Sequence, residues 1–233
     1  MNSTKEQLRQ SLLLERQANF LKLIPGVVHN LCNPLTIIGT RAQLLQLKMP
    51  ESPDFRKMVE QSKMIESILN NLVFISQNQC NTQIQKIDIN KLIENETDFL
   101  TANPHFKHNI TREIQYYSGN LSVKSSYFHV ASLVHFTLLF LIDCAQNSTA
   151  KNLWISCEQT HQVVLIRIRT DIADLADQSR QFEKHLSDPD SPAATSLKNL
   201  ACAALIAKEM KIALTFPTKN ENAEFLITIP KNE

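Results

Sequence analysis

Residues 24–45, IPGVVHNLCNPLTIIGTRAQLL, set a histidine, His29, among apolar residues with helical spacing. Ile24, Val27, Leu31, Leu35 and Ile38 recur at gaps of three and four, and in that phase position 29 falls away from the apolar stripe. A neutral imidazole so placed is a nucleophile. One ring nitrogen can attack, at phosphorus for example, while an acceptor holds the N–H of the other. Two amides accompany it. Asn30 follows directly; it can fix a tautomer by hydrogen bonding but cannot take a proton. Asn33 lies one helical turn on, nearly on the same side. The other six histidines, His105, His108, His129, His135, His161 and His185, have no such setting and read as ordinary surface or core residues.

Composition narrows the chemistry further. The chain has 233 residues, a formal charge of +1 and 43% apolar residues. That suits one or two domains with an ordinary core. It excludes a disordered chain and gives no electrostatic footprint for nucleic acid or a membrane surface. Only three glycines are present, Gly26, Gly39 and Gly119. A glycine-rich loop that wraps phosphates needs several, because backbone N–H groups must reach the anion with no Cβ in the way. The five cysteines, Cys32, Cys80, Cys144, Cys157 and Cys202, form no C-x-x-C pair and no zinc-type set with histidine. They read as reduced, mostly buried thiols. The N-terminal run MNSTKEQLRQ is polar rather than signal-like. The most apolar stretch, residues 133–145, is interrupted by His135 and Asp143 and is short for a bilayer span. The expectation is a cytoplasmic, soluble protein with no membrane insertion and no nucleic-acid partner.

Holding His29 in place needs a long helix, and the spacing predicts one over residues 4–49. Its stripe runs through Phe20, Ile24, Val27, Leu31, Leu35, Ile38, Ala42 and Leu45, interrupted by Pro34 and Gly39. Pro34 lacks a backbone donor and is expected to bend the helix beside His29. The run MPESPD, with two prolines, stops this helix and starts the next. A second stripe follows through Phe55, Met58, Val59, Ile65, Ile68, Leu69, Leu72 and Ile75. Two such helices with a short connection make an antiparallel hairpin. One hairpin has little core, so dimerisation into a four-helix bundle is expected. Residues 77–85, QNQCNTQIQ, read as a linker, giving domains over 1–79 and 84–233. In the second, strands are expected at 84–89, 109–115, 153–157, 163–168, 212–216 and 224–229, and helices at 90–100, 126–146, 173–186 and 196–210. Helices on a mostly antiparallel sheet make a two-layer α/β sandwich, so the fold class is α+β.

The first helix resembles the phosphoacceptor helix of two-component sensor histidine kinases, whose pattern is roughly G-x-x-H-E-x-x-N-P-L. Gly26, His29, Asn33, Pro34 and Leu35 match, and Asn30 stands where the family has an acid. The element order of the second domain is similar to the family's ATP-binding domain, so the resemblance runs from about Phe20 to the end. It implies that His29 is a phosphoacceptor. It implies that Asn30 activates the histidine less than an acid does, and that Asn33 helps position water to remove phosphate from a partner. From the residues alone, Asn30 also reads as a solvated polar group, and Asn33 as a partner for backbone freed by Pro34.

The nucleotide motifs are altered. The family's metal-binding asparagine, in N-L-L-x-N-A, corresponds to Cys144 in FLIDCA. The adenine-binding D-x-G-x-G corresponds to TDIAD, residues 170–174, with Asp171 one place out of register and Ile172 and Asp174 replacing glycines. The G-x-G-L-A stretch corresponds to LKNLA, residues 197–201, which has no glycine. Magnesium prefers oxygen to a neutral thiol. Ile172 and Leu197 put branched side chains where backbone should approach, and Asp174 adds negative charge beside phosphates. Asp143 and Asn147 are the nearest other oxygen ligands. Residues 188–192, DPDSP, read as a loop where the family has its lid.

Together these features lead to one expectation. A homodimer joined through its first two helices exchanges phosphoryl groups between His29, aided by Asn30 and Asn33, and the aspartate of a response-regulator receiver domain. No cofactor, no metal and no conventional ATP binding are expected. Phosphotransferases derived from the kinases are similar. Two other readings stay open: an atypical active histidine kinase, and a non-catalytic module that binds or sequesters a receiver.

Overall fold

The computed structural model describes residues 2–78, 81–146, 148–173, 175, 195–216 and 223–231. It divides into two compact units, Met1–Cys80 and Asn81–Glu233.

The first unit is a helical hairpin. Helix α1 spans Asn2–Lys48 and runs unbroken through both Pro25 and Pro34. Helix α2 spans Pro53–Asn78, with Pro53 at the first helical position and Asp54 in the first turn, both favourable there. The turn between them is tied by the Ser52 N–H, which donates to the Met49 carbonyl at 3.1 Å. On α1 the face turned to α2 carries buried Val28 and Ala42, with half-buried Cys32, Leu35, Gly39 and Gln46 completing the three–four spacing. On α2 the buried residues are Val59, Leu69 and Ile75. The helices come close where Gly39 meets Ser62: a Cβ on Gly39 would lie 3.4 Å from Ser62 Cβ.

The expected seam is only partly the one that packs. Ala42 and Leu35 turn inward, but Leu31 and Ile38 stay 50% and 51% exposed, and Val27 and Leu45 are exposed too. Both helices carry an apolar arc wider than one neighbour can cover, and a single hairpin buries only one edge of it. Met58, Ile65 and Ile68 are the exposed remainder on α2.

The second unit is a mixed α/β fold. In chain order it contains β1 (Ile84–Asp88), α3 (Ile89–Leu100), α4 (Pro104–Asn109), β2 (Thr111–Gln115), β3 (Ser122–Ser126) and α5 (Tyr127–Gln146). Then follow β4 (Asn152–Gln159), β5 (Val163–Thr170), α6 (Thr195–Glu209), β6 (Ala213–Thr215) and β7 (Glu224–Pro230). Five strands form one sheet in the order β2-β4-β5-β7-β6, and β1 pairs with β3 in a separate two-stranded sheet. Alternation fixes which face is buried. Leu153, Ile155 and Cys157 of β4, Val164, Ile166 and Ile168 of β5, and Phe225, Ile227 and Ile229 of β7 all enter the core. Helix α5 is apolar almost all round and is long and apolar enough to cross a membrane, but it is mostly buried as the core helix of this unit. Leu200, Ala203 and Ala207 of α6 pack in the same core.

The strand expected at 109–115 is present as β2, Thr111–Gln115. A short helix that the spacing did not announce, α4, precedes it, because Asn103 caps the N–H groups of His105 and Phe106 at 2.9 and 3.1 Å and Pro104 opens the turn. Strand β3, polar apart from Val123, is recruited by pairing with β1, as Ile87 opposite Val123 shows. The sheet also has a parallel edge: β2 runs parallel to β4, with Ile114 opposite Ile155. The helix expected at 173–186 lies almost wholly outside the described residues.

Candidate functional site

Helix α1 holds His29, Asn30 and Asn33, and the side chains of all three are exposed. A period of about 100° per residue puts His29 and Asn33 on one flank of the α1–α2 seam and Leu31, Ile38 and Leu45 on the opposite flank. The same geometry turns Asn30 roughly 100° away from His29, so the two are neighbours in sequence but do not share a flank. Among the described residues, no hydrogen bond or ion pair engages any of these three side chains. The hydroxyl of Thr36, one turn below Asn33, is spent on the Cys32 carbonyl at 2.9 Å. A groove of about 120 Å³ opens beside this flank, with Cys32, Thr36 and Gln43 of α1 facing Ser62, Lys63 and Glu66 of α2. Ile37 and Leu44 are also exposed, 57% and 53%, and lie beyond Asn33 toward the hairpin turn.

Chemically, this is an imidazole with both nitrogens open and no base beside it. It can attack an activated electrophile such as an acyl phosphate.

In the second unit the residues aligned with nucleotide motifs are engaged elsewhere. Cys144 is 4% exposed, and burial, then the neighbouring charge of Asp143, pushes its thiol up to about 12. It stays protonated and turned into the core. Asp143 accepts a hydrogen bond from Asn199 Nδ2 at 2.9 Å. Asp171 accepts from the backbone N–H of Lys151 and of Asn152, each at 3.0 Å, and from Asn152 Nδ2 at 2.8 Å. It therefore anchors the start of β4. Burial pushes the Asp171 carboxyl up, but those donors together outweigh it and hold the group below the usual range. Ile172, Leu197 and Leu200 are all buried core residues. Near the C-terminal end of α5 a cavity of about 10 Å³, lined by Leu141, Ala145, Asn152 and Thr170, has room for no more than a water.

A magnesium–nucleotide complex needs free oxygen ligands and backbone donors open to phosphate, and these residues do not fit it. Among the described residues, no group of three or more His, Cys, Asp or Glu is placed to hold a metal. Asn147, Asp174 and residues 188–192 lie outside the described residues. Sequence reasoning missed Asn199. Its signal was present, as a lone amide in the otherwise apolar run NLACAALIA.

No protein-family model and no curated protein matches the chain. Solved structures similar to it are histidine kinases. Acinetobacter baumannii histidine kinase AdeS has 17% identity and a TM-score of 0.49, over 88% of this chain and 98% of that one. Full-length ShkA in complex with AMPPNP has 14% identity and a TM-score of 0.48, over 91% of this chain and 46% of that one. The mycobacterial sensor histidine kinase MprB has 14% identity and a TM-score of 0.47, over 64% of this chain and 97% of that one. At these identities and scores, function rests on the chain's own side chains.

Proposed function

We propose that this chain is a histidine phosphotransferase of two-component signalling, exchanging a phosphoryl group between His29 and the aspartate of a response-regulator receiver domain. The observation that carries this reading is a contrast. His29 is exposed with both ring nitrogens free, while the nucleotide-motif positions of the second unit are filled by buried core and engaged carboxylates.

One imidazole nitrogen attacks the phosphorus of an aspartyl phosphate in line, the P–O bond to the carboxylate breaks, and the carboxylate leaves with the electron pair. The second ring N–H is held by solvent or by an acceptor from the partner. An acyl phosphate is already activated, so the absence of a carboxylate beside His29 matters less than it does for ATP. Asn33, on the same flank, is placed to orient water against a partner's phosphate. The exposed Ile37 and Leu44 offer that partner apolar contact.

The exposed apolar flank of Leu31, Ile38 and Leu45, with Met58 and Ile65 on the same side of the hairpin, supports pairing with a second copy in a four-helix bundle. That flank is opposite His29, so pairing leaves the nucleophile open.

The test is transfer of label from a phosphorylated receiver domain. Acid-labile label should appear on the wild-type chain and be absent in His29→Ala, with dimerisation unchanged. Labelling from Mg-ATP alone would favour an atypical kinase. A stable complex with no transfer would favour a sequestering module. Accelerated loss of receiver phosphate with no labelled intermediate would point to phosphatase action through Asn33.

A further inference from the structure

The carboxylate of Asp143 stands in the last turn of α5, and Asn199 stands in the second turn of α6. Their 2.9 Å hydrogen bond crosses between two helices that pack directly on each other. Neighbouring positions on both helices are buried and largely apolar. Cys144 is buried at 4%, Leu197 at 7% and Leu200 at 0%, and the small Ala203 and Ala207 continue the α6 face into the core. Leu175 and Ile172, which precede α6 in the chain, are buried at 0% and 3%.

Two physical consequences follow. A polyphosphate approaching this place meets the like charge of Asp143. The polar bond also joins two helices whose neighbouring positions are largely apolar, so it fixes the relative register of α5 and α6, which apolar contacts alone leave less specified.

We propose that Asp143 and Asn199 form an internal clamp that fastens α6 to α5 without any bound ligand, so that the second unit is held in one nucleotide-insensitive state. The proposal rests on the reading that the unit has no conventional ATP site. It adds a positioning role for Asp143 and Asn199, and it means that any control of this protein acts elsewhere than through nucleotide occupancy.

Amide hydrogen exchange on the full chain, with and without millimolar Mg-ATP, separates the two ideas. Asn199→Ala should speed exchange of the α6 amides roughly fivefold, the scale of one lost internal hydrogen bond. Asp143→Ala should do the same. Asp143→Asn keeps an acceptor for Asn199 and should leave α6 as protected as in the wild type, which distinguishes the bond from general damage at the site. Mg-ATP should change none of these rates. Unchanged α6 exchange in Asn199→Ala would overturn the clamp and leave the no-nucleotide reading intact. Slowed exchange of wild-type α6 in Mg-ATP would overturn the no-nucleotide reading itself.

Discussion

The Asp171 carboxylate collects three N–H donors at the start of β4, and its titration should therefore be visible in stability. Its folded pKa lies below the ordinary 3.8. The native state then binds fewer protons than the unfolded chain near that pH, so the stabilisation is full above the unfolded value and is lost as pH falls through the folded one. Asp171→Asn should lower stability at neutral pH, by no more than about 1 kcal/mol because the group is exposed and screened. It should also flatten the acid limb of a melting-temperature profile. A variant whose acid limb matches the wild type would remove the anchoring role. At this scale the sequence was legible where a residue type dictates burial: Cys144 and Cys157 are buried, as reduced core thiols are expected to be. It was not legible where two distant polar groups meet, as Asp143 and Asn199 do, because no local period announces such a pair.

Helix α6 ends without the glycine that usually closes a helix. Lys211 takes a left-handed conformation, φ 54°, and among the described residues it is the one non-glycine with positive φ. The turn is held by the Ile212 N–H donating to the Ala207 carbonyl at 2.9 Å. A side chain there costs roughly 1–2 kcal/mol that glycine avoids in part. Lys211→Gly should therefore raise stability by about 1 kcal/mol in urea unfolding, with no shift in the urea dependence. Nothing in KEMKIAL marks this stop, so the strand after it was expected one residue early. Long periodic elements fared better. Helices α1, α2 and α5 and strands β4, β5 and β7 were readable from spacing, since burial dictates their pattern. Strand β3 was not, because its place comes from pairing with β1 rather than from its own composition. The seam of α1 was misjudged by part of its arc for the same reason: a broad apolar stripe does not say which edge a given neighbour will cover.

For the whole molecule, the untested step with the plainest readout is association. The exposed flank through Leu31, Ile38 and Ile65 is the surface on which the proposed pairing with a second copy rests. Ile38→Glu should shift the chain from dimer to monomer in sedimentation velocity, by at least tenfold in dissociation constant, while far-ultraviolet circular dichroism stays helical and β-rich. A wild type that sediments as a monomer at tens of micromolar, a concentration range where burial of a hairpin face should suffice, would count against the bundle. The α+β class was legible at this scale because the hydrophobic period changes once along the chain, from helical to mixed. The strand order β2-β4-β5-β7-β6 was not, because non-local pairing leaves no trace in adjacent residues.

The order of elements also sets a timetable. Helices α1 and α2 pair across residues 49–52, whereas β2 must wait for β4 beyond α5, and β5 for β7 beyond α6. Pairing between chain neighbours is fast and long-range strand pairing is slow, and the N-terminal half leaves the ribosome first. The hairpin is thus complete, its apolar flank uncovered, while the sheet still lacks its central strands. During synthesis, an apolar helical surface is therefore on show to the surroundings before the second half of the same chain exists.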